Sequence, residues 1–529
     1  MEGVAHRVPI SIFHFPISSD RCTIYQPMSL KDEFGVRLDK ADALRTAGVN
    51  PYPANVHRDA RVGDVLTQFD AWSEQKKDFT IAGRVMTTRI HGKMAFADLR
   101  DESGTIQIQL TVDGVGEASF DQFLNLIDPA DFIQVRGTLF VTKRGQQTVA
   151  VSEWKILTKA LRPLPEKWHG LKDVEIRYRE RELDLISNAE VRDVFRIRTK
   201  VIRALREALD AEGFEEVETP ILQPIAGGAT ARPFITHHNA LDHDFYLRIA
   251  PELYLKRCVV GGFEKVYELG RQFRNEGVDW SHNPEFTSLE FYWAYKDYHG
   301  LMDFTEELLS SVITRVLGTS KVAFNGDGID FTPPWPRVRF RDAIKDACGI
   351  DISGLGKEDL ITRMKEKRIE VDGAADLGKL YDELYKETVR SKQIQPIFII
   401  DYPIEMEPLA KKCEDDPRFV QRFQLIAGKL EMLKAYSELN DPVDQRERFL
   451  GQQELREAGD DEAQFIDEQF LTSLEHGLPP TAGWGMGIDR FVMMLTDQKS
   501  IKDVILFPTL KPSGIPSDAE SQPPIADSR

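Results

Sequence analysis

The chain has 529 residues, four widely scattered cysteines and a formal net charge of −18. At roughly 150 residues per domain this length predicts two to four domains, and a content of 29% charged and 41% hydrophobic residues excludes a disordered or collagen-like polymer. No apolar run reaches the roughly 18 residues that span a bilayer, which excludes an integral helical membrane protein. Cys22, Cys258, Cys348 and Cys413 form no CxxC pair, so neither a disulfide framework nor a cysteine-rich zinc module is expected, and a reducing cytoplasm fits. The acidity argues against a polyanion held by global electrostatics. Basic and acidic residues are nevertheless equal in number between Asp78 and Pro165, and a basic helix follows near residue 191, so any polyanion would be met locally.

In chain order, residues 1–28 lack the basic start and long apolar core of a signal peptide and are expected to be a disordered or mis-assigned extension. Residues 29–76 read as a helical segment with the turn signal NPYP at 50–53. Between 77 and 160 short alternating runs are separated by the hairpin-type turns HGK, DESG and KRGQ, which predicts about five strands. That is the size of a small Greek-key barrel such as the oligonucleotide-binding (OB) barrel, with a generic β-sandwich as the alternative. Residues 161–189 are expected to be a linker. Residues 190–512 open on a long helix and predict an α+β catalytic domain on an antiparallel sheet, with 338–395, rich in Lys, Glu and Asp, as a helical insertion. The tail, 513–529, has the composition of a disordered segment.

Three blocks stand out, two of which carry chemistry. ELGRQFRNEGVDWSHNPEFTSLEFYWAY (268–295) reads as two strands around a loop. Side chains two apart on a strand share a face, which places Arg274 with Glu276 and Glu290 with Tyr292. An arginine there suits a phosphate clamp, its fork fitting two oxygens; surface ion pairing is the competing reading for Arg274 and Glu276. His282 falls in the loop and Phe286 on the return strand, where its ring can stack a purine. In TAGWGMGIDRFVMML (481–495), Gly483, Gly485 and Gly487 clear one face of a strand, either for a planar ligand or for tight packing. Arg490 follows in the first turn of a helix, against the helix dipole, a position that calls for an anionic ligand. EVETPIL (216–222) reads as structural, an edge suited to subunit contact.

In this order the three blocks resemble the signature motifs of class II aminoacyl-tRNA synthetases, and longer strings resemble the lysyl-tRNA synthetase family: GGATARPFITHHNALDHDFYLRIAPELYLKR, FRNEGVDWSHNPEFT, AYSELNDPVDQRERF, GDDEAQFIDEQFLTSLEHGLPPTAG and DVILFPTLKP. The resemblance covers roughly residues 30–512. It implies a multidomain α+β protein with an N-terminal OB-fold anticodon-binding barrel and a catalytic domain on an antiparallel sheet of six or more strands, dimerising through the EVETP region. The activity implied is ATP-dependent ligation of L-lysine to tRNA(Lys) in the cytoplasm through a lysyl-adenylate, with Mg²⁺ as cofactor. A lysyl-transferring paralogue acting on elongation factor P and a catalytically weakened tRNA-binding protein are the alternatives; the run of strands at 78–160 counts against the first, and Arg274 and Arg490 against the second.

By resemblance, Gly228 and Glu252 hold the α-amino group, Arg274 meets the substrate carboxylate and the α-phosphate, and Glu290, Tyr292 and Glu438 receive the ε-ammonium. Phe286 and Glu276 meet the adenine, His282 and Arg490 the outer phosphates, and Glu431 and Gly487 complete the ATP site. The acidity of Glu252, Glu290 and Glu438 also argues independently for a ligand with two ammonium groups, since a buried charge needs a partner; an aspartyl enzyme would need a basic pocket. On the barrel, Arg89, Phe96, Gln107 and Gln146 fall at the anticodon-reading positions. Taken alone, Phe96 would more often be a core residue.

Two residues depart from the family pattern. Gln424 stands where a magnesium-ligating Glu is expected, leaving Glu431 as the evident carboxylate of the metal site. Lys434 stands where the family usually has Asn near the substrate carboxylate. On a regular strand Lys434 shares a face with Glu438, so it is expected to neutralise that carboxylate and weaken lysine binding, while Glu431 falls on the opposite face unless a bulge intervenes.

Overall fold

The computed structural model describes residues 29–165, 171–371 and 375–512. The segments expected to be disordered, 1–28 and 513–529, lie outside the described residues. The chain divides into two compact units, residues up to 168 and residues from 169 on.

The first unit begins with α1 (Ser29–Thr46) and two short helices, Val62–Thr67 and Phe69–Glu74. Five strands follow: β1 (Phe79–His91), β2 (Met94–Arg100), β3 (Thr105–Thr111), β4 (Phe132–Val141) and β5 (Gln147–Thr158), with α2 (Glu117–Leu126) between β3 and β4. They close into a barrel in the order β1-β2-β3-β5-β4, the β3–β5 contact being the parallel one. Period-2 patterning sets inside against outside. On β2, Ala95, Ala97 and Leu99 are buried, whereas Phe96, Asp98 and Arg100 face outward. Gly137 marks the close approach of β4 to β5: a Cβ there would lie 2.0 Å from the Ala150 carbonyl oxygen, beside a register shift of the kind that bends a barrel strand.

In the second unit the segment expected as a linker is folded in its latter part. Residues Val174–Arg179 and Arg181–Ser187 are helical, and the buried Arg181 guanidinium donates to the Leu506 carbonyl at 2.9 Å and to the Lys502 carbonyl at 2.8 Å. Helix α3 (Ala189–Glu212) then stops at Gly213, which takes a left-handed conformation at φ 88°. The central sheet contains β6 (Glu215–Glu216), β7 (Lys265–Phe273), β8 (Glu285–Ala294), β9 (Arg337–Arg339), β10 (Ile397–Pro403), β11 (Phe419–Ala427), β12 (Leu430–Ser437) and β13 (Thr481–Gly487). Their order is β9-β10-β11-β12-β13-β8-β7-β6. The interior pairings are antiparallel and the two edge pairings parallel. Parallel neighbours need a long crossover, and the helical segment expected as an insertion supplies it: α6 (Phe340–Cys348), α7 (Lys357–Glu366) and α8 (Leu377–Thr388) run between β9 and β10.

Strand periodicity gives the sheet two different faces. Leu289 and Phe291 of β8, Trp484 and Met486 of β13, and Leu433 and Ala435 of β12 belong to one core, shared with α3, α5 (Tyr298–Leu317) and α11 (Ile488–Leu495). Residues of opposite parity (Glu290 and Tyr292, the glycines of β13, Lys434 and Tyr436) face the other way. That face is covered in part by a second core involving α4 (Glu252–Val260), α9 (Pro442–Glu457) and α10 (Glu468–Glu475), and the uncovered part is a cleft.

Candidate active site

The floor of the cleft is built in register. Across β8, β13 and β12, Glu290 aligns with Gly485 and Lys434, and Tyr292 with Gly483 and Tyr436. The three glycines do different things. A Cβ on Gly483 would meet Glu438 Oε1 at 2.1 Å and Tyr292 Cε1 at 2.6 Å, whereas one on Gly485 would touch only Glu290 at 3.4 Å and one on Gly487 nothing within 4 Å. Gly483 is therefore a packing glycine, and Gly485 and Gly487 leave bare backbone facing the cleft. Gly228 lines the opposite wall at φ +86°, where a Cβ would lie 3.0 Å from Glu252 Cβ; both conformation and space favour glycine.

At one end the cleft is acidic. Glu252, Glu290 and Tyr292 line it, and Glu438 lies buried behind Gly483. Burial pushes the Glu290 carboxyl up to about 8, assisted by Glu252 and opposed by Lys434 and Arg274. The side chain of Glu290 makes no hydrogen bond or ion pair among the described residues, whereas Glu268, its neighbour on β7, is paired with Arg248. Burial first, then Glu252, Glu290 and Glu438, raises the Tyr292 hydroxyl well above its ordinary value, so these carboxylates act on one point.

At the other end the cleft is basic. Arg274 and Arg490 both line it. The two-strand reading placed Arg274 and Glu276 on a strand. In the structure β7 ends at Phe273 and both residues stand in the following loop, yet both reach the cleft. The Arg274 guanidinium lies 5.1 Å from the Phe286 ring centre, and burial, outweighing the nearby carboxylates, lowers its pKa. Arg490 is aimed by its neighbour Asp489, which pairs with Arg198 of α3 at 2.5 Å and accepts from the Thr287 amide at 2.7 Å. Arg490 Nη2 lies 2.9 Å from His282 Nε2. Arginine only donates, so Nε2 accepts and Nδ1 carries the ring proton toward Asp279 Oδ2, 2.8 Å away.

The departures from the family pattern resolve as follows. Gln424 is buried, and its side-chain oxygen accepts from the Tyr402 hydroxyl at 2.8 Å. It is not among the residues that line the cleft. A register shift between β11 and β12 pairs Leu425 with Leu433 but Ile426 with Glu431, skipping Met432. That bulge turns Glu431 onto the cleft face. Lys434 does not neutralise Glu438. Its ammonium pairs with Glu407 at 3.3 Å, and the cation on Glu438 is Lys256, which also holds Glu252 at 2.7 Å. Burial opposes a charged Lys256, but Glu252 and Glu438 outweigh it and raise its pKa.

Lys256 is thus a residue that the sequence reading missed, although its spacing of four from Glu252 on a helix was a legible signal. Tyr436, whose hydroxyl donates to Glu252 Oε1 at 2.6 Å, was equally legible at two residues from Lys434. Glu407 carried no local signal. On the barrel, Arg89 pairs across strands with Phe96, and Gln107 lies opposite Asp98 two residues further along the same face of β2. These three residues occupy adjoining positions on the outer face, and Phe96 is half-buried rather than core. Gln146 is exposed in the β4–β5 turn, beside Thr148, whose hydroxyl donates to Gln107 at 3.0 Å.

A largely antiparallel sheet with two arginines lining the cleft on it, joined in one chain to a five-stranded barrel, defines a class. The family model for tRNA synthetases class II (D, K and N) matches residues 173–511, and that for the OB-fold nucleic acid binding domain matches 79–157. The chain belongs to the class II tRNA synthetases and is an aminoacyl-tRNA ligase. Among similar proteins, the lysine–tRNA ligase of Pelotomaculum thermopropionicum is 50% identical over 486 residues, covering 91% of this chain and 96% of that one. The lysine–tRNA ligase of Moorella thermoacetica is 50% identical over 482 residues (91% and 98%), and that of Roseiflexus castenholzii 49% over 487 residues (92% and 100%).

Proposed function

We propose that this chain ligates L-lysine to tRNA(Lys) in two steps, through a lysyl-adenylate, with release of AMP and diphosphate. The observation that carries the reading is a single cleft acidic at one end, where Glu252, Glu290 and Tyr292 stand, and basic at the other, where Arg274 and Arg490 stand. A substrate with two ammonium groups and one carboxylate matches that polarity.

In this reading Gly228 and Glu252 take the α-ammonium, and Glu290 and Tyr292 take the ε-ammonium, with Glu438 behind them. Arg274 bridges the lysine carboxylate and the α-phosphate of ATP, Phe286 stacks the adenine, Glu276 accepts from its exocyclic amine, and His282 and Arg490 hold the outer phosphates above the backbone of Gly487. The carboxylate is already ionised, so its attack on the α-phosphorus needs no general base; alignment and charge neutralisation lower the barrier. The 3′-hydroxyl at the tRNA end then attacks the adenylate carbonyl. The donor set fits a magnesium ion held mainly by phosphates: Glu431 is the carboxylate that would hold it, and when bound it would neutralise phosphate charge. On the barrel, Phe96 stacks an anticodon base and Arg89, Gln107 and Gln146 contact its neighbours. Dimerisation through the EVETP edge and a cytoplasmic location complete the proposal; no described helix is long and apolar enough to cross a membrane.

Charging of total tRNA with lysine, aspartate and asparagine in parallel tests this. Lysine alone is expected to be esterified, and charging by aspartate alone would overturn the pocket argument.

A further inference from the structure

We propose that Lys256 is a positioning residue for the amino acid: a built-in ammonium that holds Glu252 and Glu438 and sets the acidic end to take two further ammonium groups. This rests on the lysine-ligating reading above. Glu252 opens α4 and Lys256 follows one turn later, its side chain fully buried. Lys256 does not reach the lining of the cleft, so it acts through the carboxylates and not on the ligand. It takes one oxygen from each, Glu252 Oε1 at 2.7 Å and Glu438 Oε2. Tyr436 donates to the same Glu252 oxygen, and Glu252 Oε2 has no partner among the described residues. Glu438 Oε1 is likewise buried without a hydrogen-bond partner, and it is the atom that a Cβ on Gly483 would meet under the cleft floor. One clamp thus leaves a free oxygen on each of two carboxylates, one from α4 and one from the end of β12.

The charges match a ligand with two ammonium groups. Glu252, Glu290 and Glu438 carry three negative charges when ionised, and among the described residues Lys256 is the only cation paired with any of them. Two ligand ammonium groups leave the filled end neutral, whereas a single one leaves a buried negative charge, which is costly. The other groups around Lys256 are neutral: the Tyr436 and Phe470 ring centres both lie 5.7 Å from its ammonium, a distance at which a ring face favours a cation. Tyr292 closes the Glu438 side, and the next carboxylate, Glu407, is occupied by Lys434 and Arg422. Apolar side chains of equal volume often stabilise a fold as well as a buried ionic trio does, so stability alone does not account for this one.

Calorimetric titration of the full-length chain with L-lysine and with ATP, between about pH 6 and about pH 8.5 and in buffers of different ionisation enthalpy, tests the assignment. Failure of the unaltered chain to bind L-lysine would overturn the lysine reading itself. Given that binding, Lys256→Met leaves two buried carboxylates without a cation, and these share a proton that an incoming ammonium must displace. L-lysine is expected to bind roughly 10- to 100-fold more weakly at neutral pH, the range for a charge-assisted hydrogen bond, with ATP within about twofold. The loss is expected to widen toward acid by up to about tenfold per pH unit, and more protons are released on binding than from the unaltered chain. In lysine-dependent ATP–pyrophosphate exchange the lysine KM rises more than kcat falls. Lys256→Gln, which keeps a donor between the carboxylates but not the charge, is expected to show the same acid-side loss. Adding Glu438→Gln to Lys256→Met removes both charges of the pair and is expected to bring proton release back to that of the unaltered chain. Unchanged lysine binding, a loss independent of pH, or an equal loss for ATP would overturn the proposal, as would proton release that stays raised in the double variant.

Discussion

Replacing Gly483 by alanine separates packing from ligand binding on the cleft floor. The added Cβ would sit 2.1 Å from Glu438 Oε1 and 2.6 Å from Tyr292 Cε1, so the two groups must retreat by about 1.4 Å and about 0.9 Å to reach ordinary contact distances of roughly 3.5 Å. Neither has room. Glu438 is 1% exposed and ion-paired to Lys256, and Tyr292 is 3% exposed. Overpacking of this kind costs about 1–3 kcal/mol, and loss of the buried ion pair would add about 3–5 kcal/mol. Gly483→Ala is thus expected to lower the thermal midpoint by several degrees and to raise the lysine KM in ATP–pyrophosphate exchange. Gly487→Ala, with nothing within 4 Å, is expected to keep wild-type stability within about 0.5 kcal/mol and to affect only nucleotide binding. A Gly483→Ala protein with unchanged melting and unchanged lysine KM would refute the placement of Glu438 behind that glycine.

Burial holds the Glu290 carboxyl at about 8, so it is protonated in the free protein at neutral pH and must release a proton to meet an ammonium. Lysine affinity is accordingly expected to rise with pH up to about 8 and then level off, by at most about tenfold per pH unit; titration calorimetry in buffers of different ionisation enthalpy counts the proton, and Glu290→Gln abolishes its release. The same elevated pKa contributes stability that is complete below the unfolded value of 4.5 and is lost as pH rises through about 8, which urea unfolding of the free protein reads directly. Phe96→Ala is expected to reduce kcat/KM for tRNA by roughly 5- to 150-fold, the equivalent of about 1–3 kcal/mol for a stacked base, with ATP–pyrophosphate exchange unchanged; loss of both activities together would argue against an anticodon role.

The patterns that repeat every two residues along a strand were legible without coordinates. They placed Glu290 with Tyr292 on one face, cleared the same face of β13 at Gly483, Gly485 and Gly487, and marked five barrel strands, because side-chain direction along a strand is a local property of the backbone. Other features belong to the assembled sheet. Sequence placed Arg274 and Glu276 on a strand that in fact ends one residue earlier, and it left the face of Glu431 open until the bulge at Met432 turned it toward the cleft. It paired Lys434 with Glu438, whereas the fold brings Glu407 to Lys434 from 27 residues away and Lys256 to Glu438 from a separate helix. Spacing along a chain encodes which way a side chain points, but the partner it meets depends on strand order, register shifts and the packing of distant segments. The face on which Glu290 stands was therefore readable from sequence, and the partners of Lys434 and Glu438 only from the tertiary structure.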